Sequence, residues 1–150
     1  MERTYISQLK KLVGKDVRIR GRVDTIRNQG KIAFLILRDI SGKVQTVAVQ
    51  SDKNNILKTV KGLTNESVVD IEGIVKEAGQ VAGGYEVEIK EIKVDSLSQS
   101  PLPIVIEQPY SNNISNLDKR LDYRWIDLRS ERNNLMMKVA TQMGKALREF

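Results

Sequence analysis

Three kinds of side chain in this sequence can do chemistry together. Phe34 stands in "KIAFLILRD", residues 31–39, a stretch that is apolar at both parities. Arg18, Arg20 and Arg22 alternate with Val17, Ile19, Gly21 and Val23, and Gln45 follows in "KVQTVAV". An unpaired base stacks on an aromatic ring for roughly 1–3 kcal/mol. Guanidinium groups neutralise phosphates and release counterions, which gives salt-dependent affinity without sequence preference. A carboxamide holds a donor and an acceptor and can read a base edge. A blander reading stands beside this one. A strand apolar on both faces is commonly covered by a helix, a loop or a second subunit, three alternating arginines are commonly a solvated face, and one glutamine means nothing alone.

Composition narrows the chemistry. The 150 residues contain no Cys and no His. Disulfides, thiol nucleophiles, imidazole bases and the common zinc sites are therefore absent from this chain. Hydrophobic residues at 40% and charged residues at 29% describe a soluble globular protein. No apolar run reaches membrane-spanning length, and the first residues, "MERTYISQLKKLVGKD", have no apolar signal core. A cytoplasmic protein with no membrane partner is expected. The net charge of +6 tilts towards a polyanionic partner.

The elements that must position Phe34 and Gln45 are readable from periodicity. A short helix is expected at 5–12, with Ile6, Leu9 and Leu12 inward and Lys10 and Lys11 outward. The first strand covers 17–25, a loop at 27–31 turns on Gly30, and the second strand is 31–39. "DISGK" makes a hairpin turn into a third strand at 44–49. Ser51 or Asp52 caps a helix that carries Ile56, Leu57, Val60 and Leu63 on one stripe. A fourth strand lies at 67–75 and a fifth at 85–97, where the alternation slips after Lys90 and implies either a bulge or the strand leaving the sheet. In the second strand Leu35 and Leu37 are expected in the core, which sends Phe34 outward, onto one face with the three arginines and Gln45.

Three strands, a helix and two strands is the order of an OB-fold, a five-stranded Greek-key barrel with a helix between strands 3 and 4. A generic β-barrel or a small sandwich gives a similar string. From Ser96 the texture changes to "SLSQSPLPIVIEQPYSNNIS", which holds all three prolines and reads as a linker. An Asp/Arg-rich segment with the only Trp follows. Ser130 then caps a helix at 131–150 with Leu135, Val139, Met143, Leu147 and Phe150 on one stripe. The expected organisation is a barrel at 1–97, a hinge at 98–117 and the truncated start of a second domain at 118–150.

"GRVDTIRNQGKIAFLILRDISGKVQTV" resembles the anticodon-binding domain of class II aminoacyl-tRNA synthetases of the aspartate, asparagine and lysine group. The shared pattern is Gly-x-Val, an Arg before a glycine loop, Phe-x-x-x-Arg-Asp, and Gly-x-x-Gln. "SPLP" is similar to the end of that domain, and "LDKRLDYRWIDLR" to the start of the α+β catalytic domain of aspartyl-tRNA synthetases. The short N-terminus and compact barrel resemble the archaeal-type branch. The final helix resembles the long helix of motif 1, which builds the dimer interface of the class.

The resemblance implies ATP-dependent aspartylation of tRNA with Mg²⁺ assistance, by a homodimer acting on L-aspartate and an aspartate tRNA, or an asparagine tRNA as well. It implies no catalytic, metal or ATP-binding residue within these 150. Phe34 would stack on the middle anticodon base, a uracil, and Gln45 would hydrogen-bond it. Arg27 would contact the anticodon backbone or bases, and Glu86 would recognise the first base, a guanine. Arg22, Asn28 and Lys31 would touch the RNA backbone. Asp24 and Ala82 lie near the expected approach of the third base. Arg22 stands where the family commonly has Trp, and Asn28-Gln29-Gly30 where it often has Asp-Leu-Gly. Three rivals remain: an OB-fold protein that binds single strands without preference, a pure interaction module with Phe34 buried in a protein contact, and, within the family resembled, an asparaginyl-tRNA synthetase or a related paralogue that has lost tRNA charging.

Overall fold

Alternation sets the first strand. Val17, Ile19 and Val23 turn inward and are almost fully buried. The strand is longer than its alternation suggests, because Asp24 bulges from the pairing and the inward parity passes from Val23 to Ile26. β1 therefore runs Asp16–Gln29. Its first half pairs with the fourth strand and its second half with the second. This computed structural model describes residues 1–50, 55–81, 83–106 and 115–150. The expected caps Ser51 and Asp52, and Ala82, lie outside the described residues.

The loop expected at 27–31 is a correction. Arg27, Asn28 and Gln29 continue β1 opposite Phe34, Ala33 and Ile32, so the backbone ladder holds these polar residues extended. Only Gly30 and Lys31 make the turn, with Gly30 at φ +62. β2 (Ile32–Arg38) and β3 (Lys43–Val49) are joined by a turn built on Asp39. One Asp39 oxygen accepts from the backbone N–H groups of Ser41 and Gly42 and from the Ser41 hydroxyl. The other accepts from the Ile6 N–H and ties down the N-terminal segment, a 3₁₀ helix at Ile6–Leu12.

α1 (Ile56–Lys61) buries Ile56 and Val60 against the barrel core, as its stripe requires. β4 (Val68–Glu77) and β5 (Tyr85–Ser96) complete a closed barrel in the order β1-β2-β3-β5-β4, with β3 and β5 parallel. This closed order is that of the OB-fold. The slip in β5 is a bulge at Lys90, where Glu72 pairs with Glu91 but Gly73 with Ile89. Gly73 is required there, since a Cβ would collide with the Glu88 carbonyl oxygen and the Val87 side chain. Gly21 likewise lets β2 approach, a Cβ there lying 2.5 Å from the Arg38 carbonyl oxygen.

The chain divides into two compact units, Met1–Ser100 and Pro101–Phe150. The second holds α2 (Leu117–Asp122), α3 (Arg124–Asp127) and α4 (Glu131–Glu149). Ser130 caps α4, its side chain accepting from the Asn133 N–H. Buried Asp127 accepts from Arg120 Nε at 2.8 Å and from Asn133 Nδ2 at 2.8 Å, which joins the short helices to α4. The apolar stripe from Leu135 to Phe150 is exposed along its length.

Candidate nucleic-acid interface

The outer face of β1, β2 and β3 is fixed by what lies beneath it. Ala33, Leu35 and Leu37 are fully buried, so β2 must turn Ile32, Phe34 and Ile36 outward. Leu35 and Leu37 fill the core as expected, and Phe34 is half-buried on the outside. Register then places its neighbours. Arg27 stands directly opposite Phe34 on β1, and Val47 opposite it on β3. Gln45 stands opposite Ile36, diagonally beside Phe34.

The parallel pairing of β3 with β5 sets Thr46 against Val87, which brings Glu86 alongside Gln45. Gln45 Nε2 donates to Glu86 Oε2 at 2.9 Å. Two glycines with positive φ, Gly83 at +97 and Gly84 at +78, lead into β5 just before Glu86. One connected patch thus holds a ring, a guanidinium, an amide and a carboxylate. Those are Phe34, Arg27, Gln45 and Glu86.

Two of the three arginines expected on this face belong elsewhere. Arg18 and Arg20 lie where β1 pairs with β4, and both are engaged by carboxylates. Arg18 Nε donates to Asp70 Oδ1 at 3.0 Å and Nη2 to Oδ2 at 2.8 Å, while Arg20 Nε lies 2.9 Å from Asp95 Oδ2. The Arg18 hydrogen bonds hold the Asp70 carboxyl below its ordinary value against the opposing effect of burial, with the Arg20 and Lys93 charges adding to the depression. The pairing of the first half of β1 with β4 is the reason for the correction, and the bulge at Asp24 turns Arg27 outward in the half that pairs with β2. Arg27, exposed and without an ion pair among the described residues, takes the place expected for Arg18 and Arg20.

Arg22 is exposed on the Phe34 side, opposite Arg38. Asn28 is exposed at the other parity from Arg27, and Lys31 lies exposed in the turn. Sequence reading missed a network at the end of this face. Arg38 Nη2 donates to Glu66 Oε1 at 2.6 Å, and Asp24 bridges Arg38 at 3.7 Å and Lys43 at 3.4 Å. Glu66 is buried and adopts φ +69, a conformation that no local sequence feature signals. Among the described residues no three His, Cys, Asp or Glu side chains gather as a metal site, and no helix is long and apolar enough to cross a membrane.

A closed five-stranded barrel with an aromatic, a basic group and an amide on the outer face of its first three strands is an oligonucleotide-binding type of fold. Residues 17–95 match the model of the OB-fold nucleic acid binding domain of the tRNA anticodon type, and the chain belongs to that family. It is 34% identical over 150 residues to the asparagine–tRNA ligase of Desulforamulus reducens, covering 100% of this chain and 33% of that protein. It is 38% identical over 138 residues to the aspartate–tRNA(Asp/Asn) ligase of Methanopyrus kandleri, covering 91% of this chain and 31% of that protein. The aspartyl tRNA synthetase from Entamoeba histolytica superposes with a TM-score of 0.88 at 26% identity, covering 100% of this chain and 37% of that one. The resemblance read from the sequence is thus borne out, and archaeal proteins are among the relatives. The chain spans about a third of the length of the curated relatives it matches.

Proposed function

We propose that this chain is the anticodon-reading part of an aspartate– or asparagine–tRNA ligase. The observation that carries the reading is the outward Phe34 with Arg27 across from it and the Gln45–Glu86 pair beside it. Phe34 stacks on the middle anticodon base, a uracil, and Gln45 hydrogen-bonds its edge. Glu86 accepts from the amino and imino groups of the first base, a guanine. Arg27 contacts the anticodon backbone or bases, and Arg22, Asn28 and Lys31 add phosphate contacts. Guanine and uracil are common to the aspartate and asparagine anticodons, which agrees with relatives named for either amino acid.

The full protein uses ATP to activate the amino acid and transfers it to tRNA. It works in the cytoplasm as a homodimer.

Binding to two RNA stem-loops at two salt concentrations tests the reading. One carries the aspartate anticodon, and the other has its middle uracil replaced by cytosine. A preference for uracil that survives added salt is expected. Equal, salt-sensitive binding would leave a basic barrel that holds RNA without reading it.

A further inference from the structure

Gln45 and Glu86 are each suited to touch RNA, yet in the structure they touch one another. The amide nitrogen of Gln45 donates to the Glu86 carboxylate at 2.9 Å, and both side chains are partly buried on the Phe34 face. A carboxylate accepts only, whereas an amide presents N–H donors on one side and an oxygen on the other. Turning the Gln45 amide over would set its oxygen against the Glu86 oxygen. Glu86 therefore fixes which way the amide faces.

We propose that Glu86 is a positioning residue for Gln45, locking its amide so that Oε1 faces the base and selects a ring N–H donor. This rests on the anticodon reading and deepens it. Uracil presents N3–H to that oxygen, while cytosine in the same place presents a bare N3. Stacking on Phe34 holds the ring in place, so cytosine cannot slide to a better pairing. An unlocked glutamine would turn its amide and offer N–H to the cytosine N3 instead. The lock converts an ambiguous reader into one that distinguishes the two pyrimidines. It also links two positions of the anticodon, because the carboxylate that accepts from the first base holds the reader of the second.

The test uses the whole chain and the variant Glu86→Gln, which keeps the shape but can offer either an oxygen or an N–H to Gln45. Affinities are measured for stem-loops with uracil or cytosine at the middle position, and with guanine or adenine at the first. In the variant the middle uracil-to-cytosine preference is expected to fall about tenfold, partly through tighter cytosine binding, a gain that damage to the fold does not produce. Glu86→Ala should relax the same preference. Side-chain amide NMR should then show the Gln45 Nε2 protons losing the environment they have beside the carboxylate.

Equal weakening of both middle-base stem-loops would overturn the lock and leave a structural contact. A change confined to the first-base preference would also overturn it, making Glu86 a reader of that base alone. If the unmodified chain shows no middle-base preference, the anticodon reading itself falls and the lock falls with it.

Discussion

Arg27 and Phe34 are cross-strand partners on the outer face of the barrel, two residue pairs from the end of the β1–β2 ladder that Gly30 turns. A guanidinium beside a ring suits an RNA strand, whose phosphates and bases need charge and π surface at alternating positions. Phe34 contributes little to the core, because Leu35, its inward neighbour, does that work. Phe34→Ala is expected to weaken binding of the anticodon stem-loop by about 1–3 kcal/mol while shifting the melting temperature little. Leu35→Ala, at a fully buried position, should cost about 2–5 kcal/mol of stability. Thermal melts and RNA titrations of both variants check the contrast. A melting collapse in Phe34→Ala would put the ring in the core.

Arg27→Gln isolates the electrostatic part. If Arg27 neutralises one phosphate, the slope of log affinity against log salt should fall by about 0.7 for a single strand. The loss should be similar for the uracil and cytosine stem-loops, since a phosphate contact carries no sequence information. Titrations at four salt concentrations measure the slope. An unchanged slope would place Arg27 outside the contact.

The barrel was legible because β1 alternates up to its bulge, glycine-containing turns divide the strands, and an amphipathic helix falls between the third and fourth. Phe34 was legible for the same reason: the burial of Leu35 and Leu37 forces it outward. The arginines were not, because the first half of β1 pairs with β4 and only its second half with β2, and the bulge at Asp24 then turns Arg27 outward; no side-chain type marks either event. The loop expected at 27–31 shows the converse. Polar residues extend when a partner strand supplies the hydrogen bonds, and composition does not report the partner. The Gln45–Glu86 bond depends on a parallel pairing between strands 41 residues apart, which only the closed topology brings about. The stripe on α4 was read correctly as a stripe, but periodicity does not say what covers it.

Gly73 tests the bulge in β5. A Cβ at this position meets the Glu88 carbonyl oxygen and the Val87 side chain, so Gly73→Ala must push the β4–β5 pair apart. Overpacking of this kind costs about 1–3 kcal/mol. Gly79→Ala, where an added Cβ meets nothing within 4 Å, serves as the matched control. Chemical denaturation of the two variants should separate them clearly. Equal stability would mean that the strands part at no cost, and the bulge would not depend on glycine.

Asp70 gives the barrel a pH dependence with a definite sign. Its hydrogen bonds from Arg18 hold the folded-state carboxyl below the ordinary value of 3.8. A depressed value means that the folded state takes up a proton less readily than the unfolded chain. The pair therefore stabilises the fold at neutral pH, and its contribution declines as the pH falls through 3.8 and then through the lower folded value. Asp70→Asn removes the charge and with it this dependence. The difference in melting temperature between the two proteins should stay level from neutral pH to roughly pH 5, then narrow in more acid solution. Melts at unit pH intervals decide the matter. A gap that persists undiminished at pH 2 would assign the effect of the substitution to packing rather than to the ion pair with Arg18.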